Sequence, residues 1–251
     1  MDFNASGDAS AFPAVTSKRD SLSAEQSPVW SKVIDFHTHS LLSDGVLCPA
    51  ELARRAQVNG YAVLGMADHA DSGTLAGIVE TARKSALALN GRMEGLTILP
   101  GVEITHVPPA LISEVVKQAR DLGASHVIIH GESVVEPVAP GTNMAAIEAG
   151  ADILAHPGLL SEKEAALAAE KGVCLELSAR GGHGLANGLT ASLARRFGAR
   201  LLINSDGHAP GDYLSPAFQK TVALAAGLSE SEFAEVMEEA SRLAEIYKKR
   251  I

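Results

Sequence analysis

The sequence predicts an α/β fold, a distorted seven-stranded (β/α) TIM-like barrel, and three observations carry that reading. After about residue 32, short apolar and β-branched runs alternate with Ala/Leu-rich stretches of helical spacing, the pattern of strands joined by crossover helices. The runs are apolar without alternation, as strands covered on both faces are. No Gly-rich dinucleotide fingerprint opens the chain: "GGHG" at 181–184 has the wrong spacing and follows the sixth run, so a closed or distorted barrel fits better than an open dinucleotide-binding sheet.

Strands are expected at 33–36, 62–67, 97–102, 126–129, 153–155, 173–177 and 201–204. Pro49 fits the first turn of the first helix, with Leu52, Ala53 and Ala56 on one face and Gly60 as its stop. Leu75, Ile78, Val79 and Ala82 form the second apolar stripe, ended by Gly91, and Ile112, Val115, Val116, Ala119 and Leu122 the third, ended by Gly123. "SEKE" at 161–164 is a capping box, and "SESE" at 229–232 opens a last amphipathic helix that runs to Lys248, Lys249 and Arg250.

With 251 residues, 46% of them hydrophobic and 4% aromatic, the chain can bury one domain-sized core built from Val, Ile, Leu and Ala. The net charge of −9 argues against a non-specific grip on nucleic acid or anionic membranes. Cys48 and Cys174 form neither a metal-type pair nor a disulfide framework. No apolar run approaches the ~20 residues that span a bilayer, and no secretory signal opens the chain, so a cytoplasmic location is expected. Residues 1–31 are expected to be a disordered leader and 32–251 one barrel domain.

The chemistry sits at the strand ends. His37, His39 and Asp44 follow the first strand, Asp68 and His69 the second, and Glu103 the third. The fourth ends in His130 and the fifth in His156; the sixth leads to Glu176, Arg180 and His183, and the seventh to Asp206 and His208. A single histidine at a strand end is more often structural than a ligand. His-x-His is stronger, since residues i and i+2 of a strand point the same way. Six of the nine histidines fall at these ends before His183 is counted, and a parallel barrel builds its site there. So many ligands exceed one ion's needs, which implies two or three divalent ions; imidazole mixed with carboxylate suits Zn, Mn or Fe. His126, which begins its strand at the other end, is expected to be structural, and Cys174 to be core packing. His106 is open to either role, Glu176 to a supporting role or burial by pairing, and Asp68 is expected to orient a ligand.

The ordered pieces "HTHSLLSDG", "ADHA", "GVE", "HGES", "AHPG" and "SDGH" resemble the PHP (polymerase and histidinol phosphatase) family of metal-dependent phosphoesterases, over about four-fifths of the chain. "HGESVVEPVAPGTN" and "ILAHPG" are most similar to its stand-alone, histidinol-phosphatase-like members. The resemblance implies a distorted seven-stranded barrel of PHP type and a trinuclear site. It assigns His37, His39, Glu103 and Asp206 to one ion, and Asp44, His69 and His208 to another. Glu103 as a bridge, with His130 and His156, is assigned to the third.

The expected activity is hydrolysis of a small anionic phosphomonoester by attack of a metal-bound hydroxide, with Asp206 and His208 in the catalytic set. Arg180 and His183 lie in the Gly-rich loop after the sixth strand. A guanidinium there either holds phosphate or pairs with a surface carboxylate, and an imidazole there could protonate the leaving oxygen. The loop 131–142 is long enough to wall the pocket. Two alternatives stand beside this reading: an amidohydrolase-type C–N hydrolase, and a non-catalytic subunit of a nucleic-acid-processing assembly.

Overall fold

A computed structural model describes residues 31–251; the expected leader falls outside the described residues except for its last position. Among the described residues, nine strands and eight α-helices follow one another, mostly in alternation. The strands are β1 (Val33–Thr38), β2 (Tyr61–Met66), β3 (His69–Ala70), β4 (Thr97–Pro100), β5 (Val102–Ile104), β6 (Val127–His130), β7 (Ile153–Ala155), β8 (Cys174–Ser178) and β9 (Leu201–Asn204). All pairings are parallel, in a three-stranded sheet ordered β1-β2-β4 and a six-stranded sheet ordered β3-β5-β6-β7-β8-β9.

The sequence predicts seven strands; in the structure a two-residue strand, β3, follows the second run, and the third run is divided at Gly101 into β4 and β5. Between β2 and β3 the Asp68 carboxylate turns away to accept from Ser40 N at 2.7 Å, Ser40 Oγ at 2.9 Å and Ser43 Oγ at 2.8 Å. Between β4 and β5 stands Gly101, where a Cβ would lie 2.3 Å from the His126 ring. The two sheets meet where Thr38 bridges Gly207, and His39 N donates to the Gly207 carbonyl at 2.9 Å.

The helices are α1 (Pro49–Val58), α2 (Leu75–Leu89), α3 (Pro109–Asp121), α4 (Thr142–Glu148), α5 (Glu162–Lys171), α6 (Asn187–Phe197), α7 (Pro216–Ala225) and α8 (Glu230–Lys248). Both capping boxes read from the sequence form, Ser161 with Glu164 and Ser229 with Glu232. The apolar stripes of α3 to α7 pack on the six-stranded sheet and that of α1 on the three-stranded one, while α2 is shared, Leu75 and Val79 joining the first cluster and Ala86 the second. A third cluster gathers Ile34, Phe36, Val63, Leu99, Ile128, Ile153, Cys174 and Leu202 with Ala240, Leu243 and Tyr247 of α8. Cys174 is core, and burial pushes its thiol up to about 12.

His126 borders that cluster. Its Nε2 contacts the Phe36 carbonyl at 2.8 Å, its Nδ1 the Ser125 hydroxyl at 3.0 Å, and Tyr247 stacks on its ring at 5.2 Å. Both nitrogens are therefore committed to the protein. Burial pushes its imidazole down from 6.5 to about 4. Between those values the unfolded chain binds the extra proton, so this contribution to stability is complete above pH 6.5 and is lost as pH falls towards 4, a change of about 3 kcal/mol. Denaturant titrations across that window should show a smaller loss in His126→Gln than in the wild type. An equal loss in the variant would assign the pH dependence elsewhere.

Candidate metal centre

β1 carries the first part of the site. His37 lies inside the strand rather than beyond it, because β1 continues to Thr38, whose Oγ1 donates to the Gly65 carbonyl at 2.7 Å. Asp35, buried on the same strand, accepts from His37 N, Ser205 N and the Tyr61 hydroxyl at 3.0–3.2 Å and ties β1 to β2 and to the segment after β9. Glu103 is likewise inside β5, His69 opens β3, and His130 is the last residue of β6.

Two buried carboxylates form the hub. The Nε2 atom of His37 lies 3.3 Å from Glu103 Oε1 and 3.7 Å from Asp206 Oδ1. The Nε2 atom of His39 lies 3.2 Å from Asp206 Oδ1 and 3.7 Å from Glu103 Oε2. His156 Nε2 approaches the same two carboxylates at 3.6 and 3.7 Å. Asp44 Oδ1 stands 3.1 Å from His208 Nε2 and 3.5 Å from His69 Nε2, beside the His39 ring. His37, His39, Asp44, His69, Glu103, His156, Asp206 and His208 therefore converge.

His130 departs from its expected partners. Its Nε2 meets Glu136 Oε2 at 3.1 Å instead of joining Glu103 and His156. The loop 131–142, expected only as a wall, delivers that carboxylate into the pocket. Glu136 and His106 are the site groups the sequence reading left out or open; the length of the loop was the signal available for Glu136. Glu176 is resolved as a supporting group: its Oε2 lies 2.8 Å from His37 Nδ1 and accepts from Asn204 Nδ2 at 2.9 Å. That contact fixes the ring and turns Nε2 towards the hub. Asp68 holds the loop between His39 and Asp44 rather than bonding an imidazole.

Arg180 does not simply pair at the surface. Its Nη1 donates to His208 Nδ1 at 2.7 Å and to the Asp206 carbonyl at 3.3 Å. His183 is buried, with Nδ1 2.6 Å from the Ser133 hydroxyl, Nε2 3.3 Å from Glu136 Oε1, and its ring stacked on His156 at 4.1 Å.

The electrostatics suit a cation. Burial lowers the His39 and His156 imidazoles well below their usual value, which keeps them neutral, the form that can ligate. Burial pushes the Asp206 carboxyl up to about 7, with the Glu103 and Glu176 charges acting in the same direction. Burial would also raise Glu103, but the His37 and His69 imidazoles hold it well below the carboxylate range. His37 Nε2, both nitrogens of His39, Glu103 Oε1 and His156 Nδ1 are buried without hydrogen-bond partners. Buried polar atoms are rarely left unpaired; lone pairs of imidazole and carboxylate facing one another are satisfied by a divalent ion. Backbone strain marks the same place. The three non-glycine residues with positive φ among those described are His106, His156 and Asp206, at 53°, 26° and 51°.

Above the hub opens a cavity of about 390 Å³, lined by Asp44, His69, Thr105, His130, Glu136, Arg180 and His183 among others. No helix among the described residues is long and apolar enough to cross a membrane.

A parallel α/β chain with a buried imidazole–carboxylate hub at its strand ends is the class that fold and site define. No protein-family model matches the chain. It is 43% identical over 199 residues to the uncharacterized protein MJ1295 of Methanocaldococcus jannaschii, the match spanning 79% of this chain and 91% of the relative, and it belongs to that protein's family. A shorter stretch of 75 residues, 30% of this chain, is 40% identical to a 5'-3' exoribonuclease of Haemophilus influenzae and covers 24% of that protein. Among solved structures, the fold is similar to a histidinol phosphate phosphatase from Lactococcus lactis complexed with zinc, L-histidinol and phosphate. The TM-score is 0.57 at 15% identity, over 78% of this chain and 94% of the other.

Proposed function

We propose that this protein is a metal-dependent phosphoesterase of PHP type, hydrolysing a small phosphomonoester in the manner of a histidinol phosphatase. The observation that carries the reading is the hub: Glu103 and Asp206, both buried, each within 3.7 Å of the Nε2 atoms of His37, His39 and His156. The fold likeness to a zinc-containing phosphatase supports it. The finer reading of the fold, a distorted seven-stranded barrel spanning 32–251, belongs to the same proposal; the Thr38–Gly207 bridge and the core cluster drawn from both sheets support it. So does the reading of two or three Zn, Mn or Fe ions in a cytoplasmic enzyme.

In this reading His37, His39, Glu103 and Asp206 hold one ion, Asp44, His69 and His208 a second, and His156 contributes from the Glu103 side. Such ions, when bound, screen phosphate charge and bring the pKa of water towards neutrality. The chain's own groups do the rest. Glu176 fixes the His37 tautomer. Arg180, anchored through Nη1, keeps donors free for the phosphate oxygens. His183, buried against Ser133, is placed to hand a proton to the leaving oxygen. The cavity of about 390 Å³ matches a small molecule rather than a polymer groove.

The partial match to an exoribonuclease favours one second reading, a nucleic-acid 5' end as substrate. Zinc- or manganese-loaded protein should release phosphate from p-nitrophenyl phosphate and histidinol phosphate. It should leave cyclic amides intact and lose activity on prolonged chelation. Shortening of a 5'-phosphorylated oligonucleotide with no monoester turnover would favour the second reading. Turnover unaffected by chelation would end the metal-dependent one.

A further inference from the structure

The two sheets meet along β1 and β9 without a shared ladder, and side chains take the ladder's place. Asn204 Oδ1 accepts from Phe36 N at 3.0 Å, and Asp35 Oδ1 accepts from Ser205 N at 3.2 Å. Gln219 Nε2 donates to the carbonyls of Ile34 and Ile203 at 3.0 and 3.1 Å. Backbone groups buried at such an edge must find partners. Asn204 is the member of this seam that also reaches the metal centre. Its Nδ2 donates to Glu176 Oε2 at 2.9 Å, and the same oxygen lies 2.8 Å from His37 Nδ1.

The direction of these bonds is fixed from one end. A backbone amide only donates, so the Asn204 atom that meets Phe36 N is the oxygen, and the atom left for Glu176 is the nitrogen. Glu176 must then accept. Its Oε2 takes both donors, while Oε1 has no partner among the described residues. Accepting from His37 means that Nδ1 carries a hydrogen. That leaves Nε2, 3.3 Å from Glu103 Oε1 and 3.7 Å from Asp206 Oδ1, as the atom that can ligate. His37, Glu176 and Asn204 are all fully buried, so solvent does not compete for these bonds.

We propose that Asn204 is a positioning residue of the metal centre: it passes the direction of the Phe36 amide through Glu176 to His37 and so holds that ring in the tautomer that ligates through Nε2. This deepens the metal-centre reading above and rests on it. The seam between β1 and β9 then serves two ends. It satisfies the backbone edge, and it presets a ligand before an ion arrives. A group already held in its bound form gives up less freedom on binding, and outer partners of this kind are worth about 10–100-fold in metal affinity.

Zinc affinity, read by competition with a chromophoric chelator, and urea midpoints of the metal-free chain test this in three variants. Glu176→Gln can turn its carbonyl oxygen to both donors, so the direction survives and zinc affinity should fall less than about tenfold. Asn204→Asp keeps the Phe36 bond but sets a carboxylate against Glu176, so stability and affinity both fall. The double variant restores a hydrogen bond between positions 176 and 204 at unchanged net charge. Its amide nitrogen at 176 also donates to His37 Nδ1, which puts the ring hydrogen on Nε2. Its urea midpoint is expected to recover above that of Asn204→Asp, while zinc affinity stays about 10–100-fold below wild type. Zinc affinity that recovers together with stability would overturn the proposal, because a merely structural bond is rescued in both. A double variant no more stable than Asn204→Asp would also overturn it. Either result beside chelator-sensitive turnover of p-nitrophenyl phosphate by the wild type would sink this proposal alone. A wild type that binds no zinc would overturn it along with the metal-centre reading.

Discussion

Replacing His37 by Ala or Asp206 by Asn is expected to abolish the proposed phosphate-ester hydrolysis while the chain stays folded. The expected fall in kcat/KM is at least about 10³-fold, or about 4 kcal/mol of barrier. Both side chains belong to the hub and neither can be replaced from solvent, since both are buried. Stability should move the other way for Asp206→Asn. Burial pushes that carboxyl up to about 7 from 3.8, so without metal the folded chain binds the proton more tightly than the unfolded one. Stability therefore falls as pH rises from about 4 to about 7, and the deficit is complete above that. Removing the charge removes the deficit, and metal-free Asp206→Asn is expected to be at least as stable as wild type at about pH 8. Circular dichroism with urea titration, beside turnover of p-nitrophenyl phosphate, reads both. Wild-type turnover in either variant refutes the hub as the site of chemistry; marked destabilisation of metal-free Asp206→Asn refutes the electrostatic account.

Gly65→Ala is expected to damage the fold severely. A Cβ there would lie 2.2 Å from the Phe36 carbonyl oxygen and 2.6 Å from its Cα. That carbonyl also receives His126 Nε2, while the Gly65 carbonyl receives Thr38 Oγ1. The obstacle is backbone between paired strands, so no rotamer change relieves it, and His37 is the next residue along. A loss of about 3 kcal/mol or more is expected. Gly77→Ala on α2 is the control: its Cβ meets nothing within 4 Å, and it should gain about 0.5–1 kcal/mol from helix propensity. A urea midpoint for Gly65→Ala equal to wild type would show that β1 and β2 do not pack as described.

The parts legible in the sequence are those that depend on neighbours in the chain. The apolar stripes of α1 to α3, the two capping boxes and the positions of β7 and β9 follow from local periodicity and capping chemistry. The cluster membership of His37, His39, Glu103, His156 and Asp206 was legible for a different reason: chemistry-bearing residues recur at the same end of successive parallel strands, and parallel strands present those ends to one side. His126 was separable from them because it begins a strand instead of ending one.

Strand breaks were not legible. The short strand after Asp68 and the interruption at Gly101 go with contacts to Ser40, Ser43 and His126, which are distant in the chain, and apolar runs carry no mark of them. The partner of His130 was not legible either. Whether its Nε2 meets Glu103 or Glu136 depends on how the loop 131–142 folds back on the Glu132–Asn143 neck, and loop paths obey no periodicity. The sequence by itself determined which donor groups exist and which end of the sheets they occupy, because those follow from residue type and strand parity. Only the tertiary structure decided which nitrogen faces which carboxylate, because that is settled by hydrogen bonds between segments some 30 to 140 residues apart.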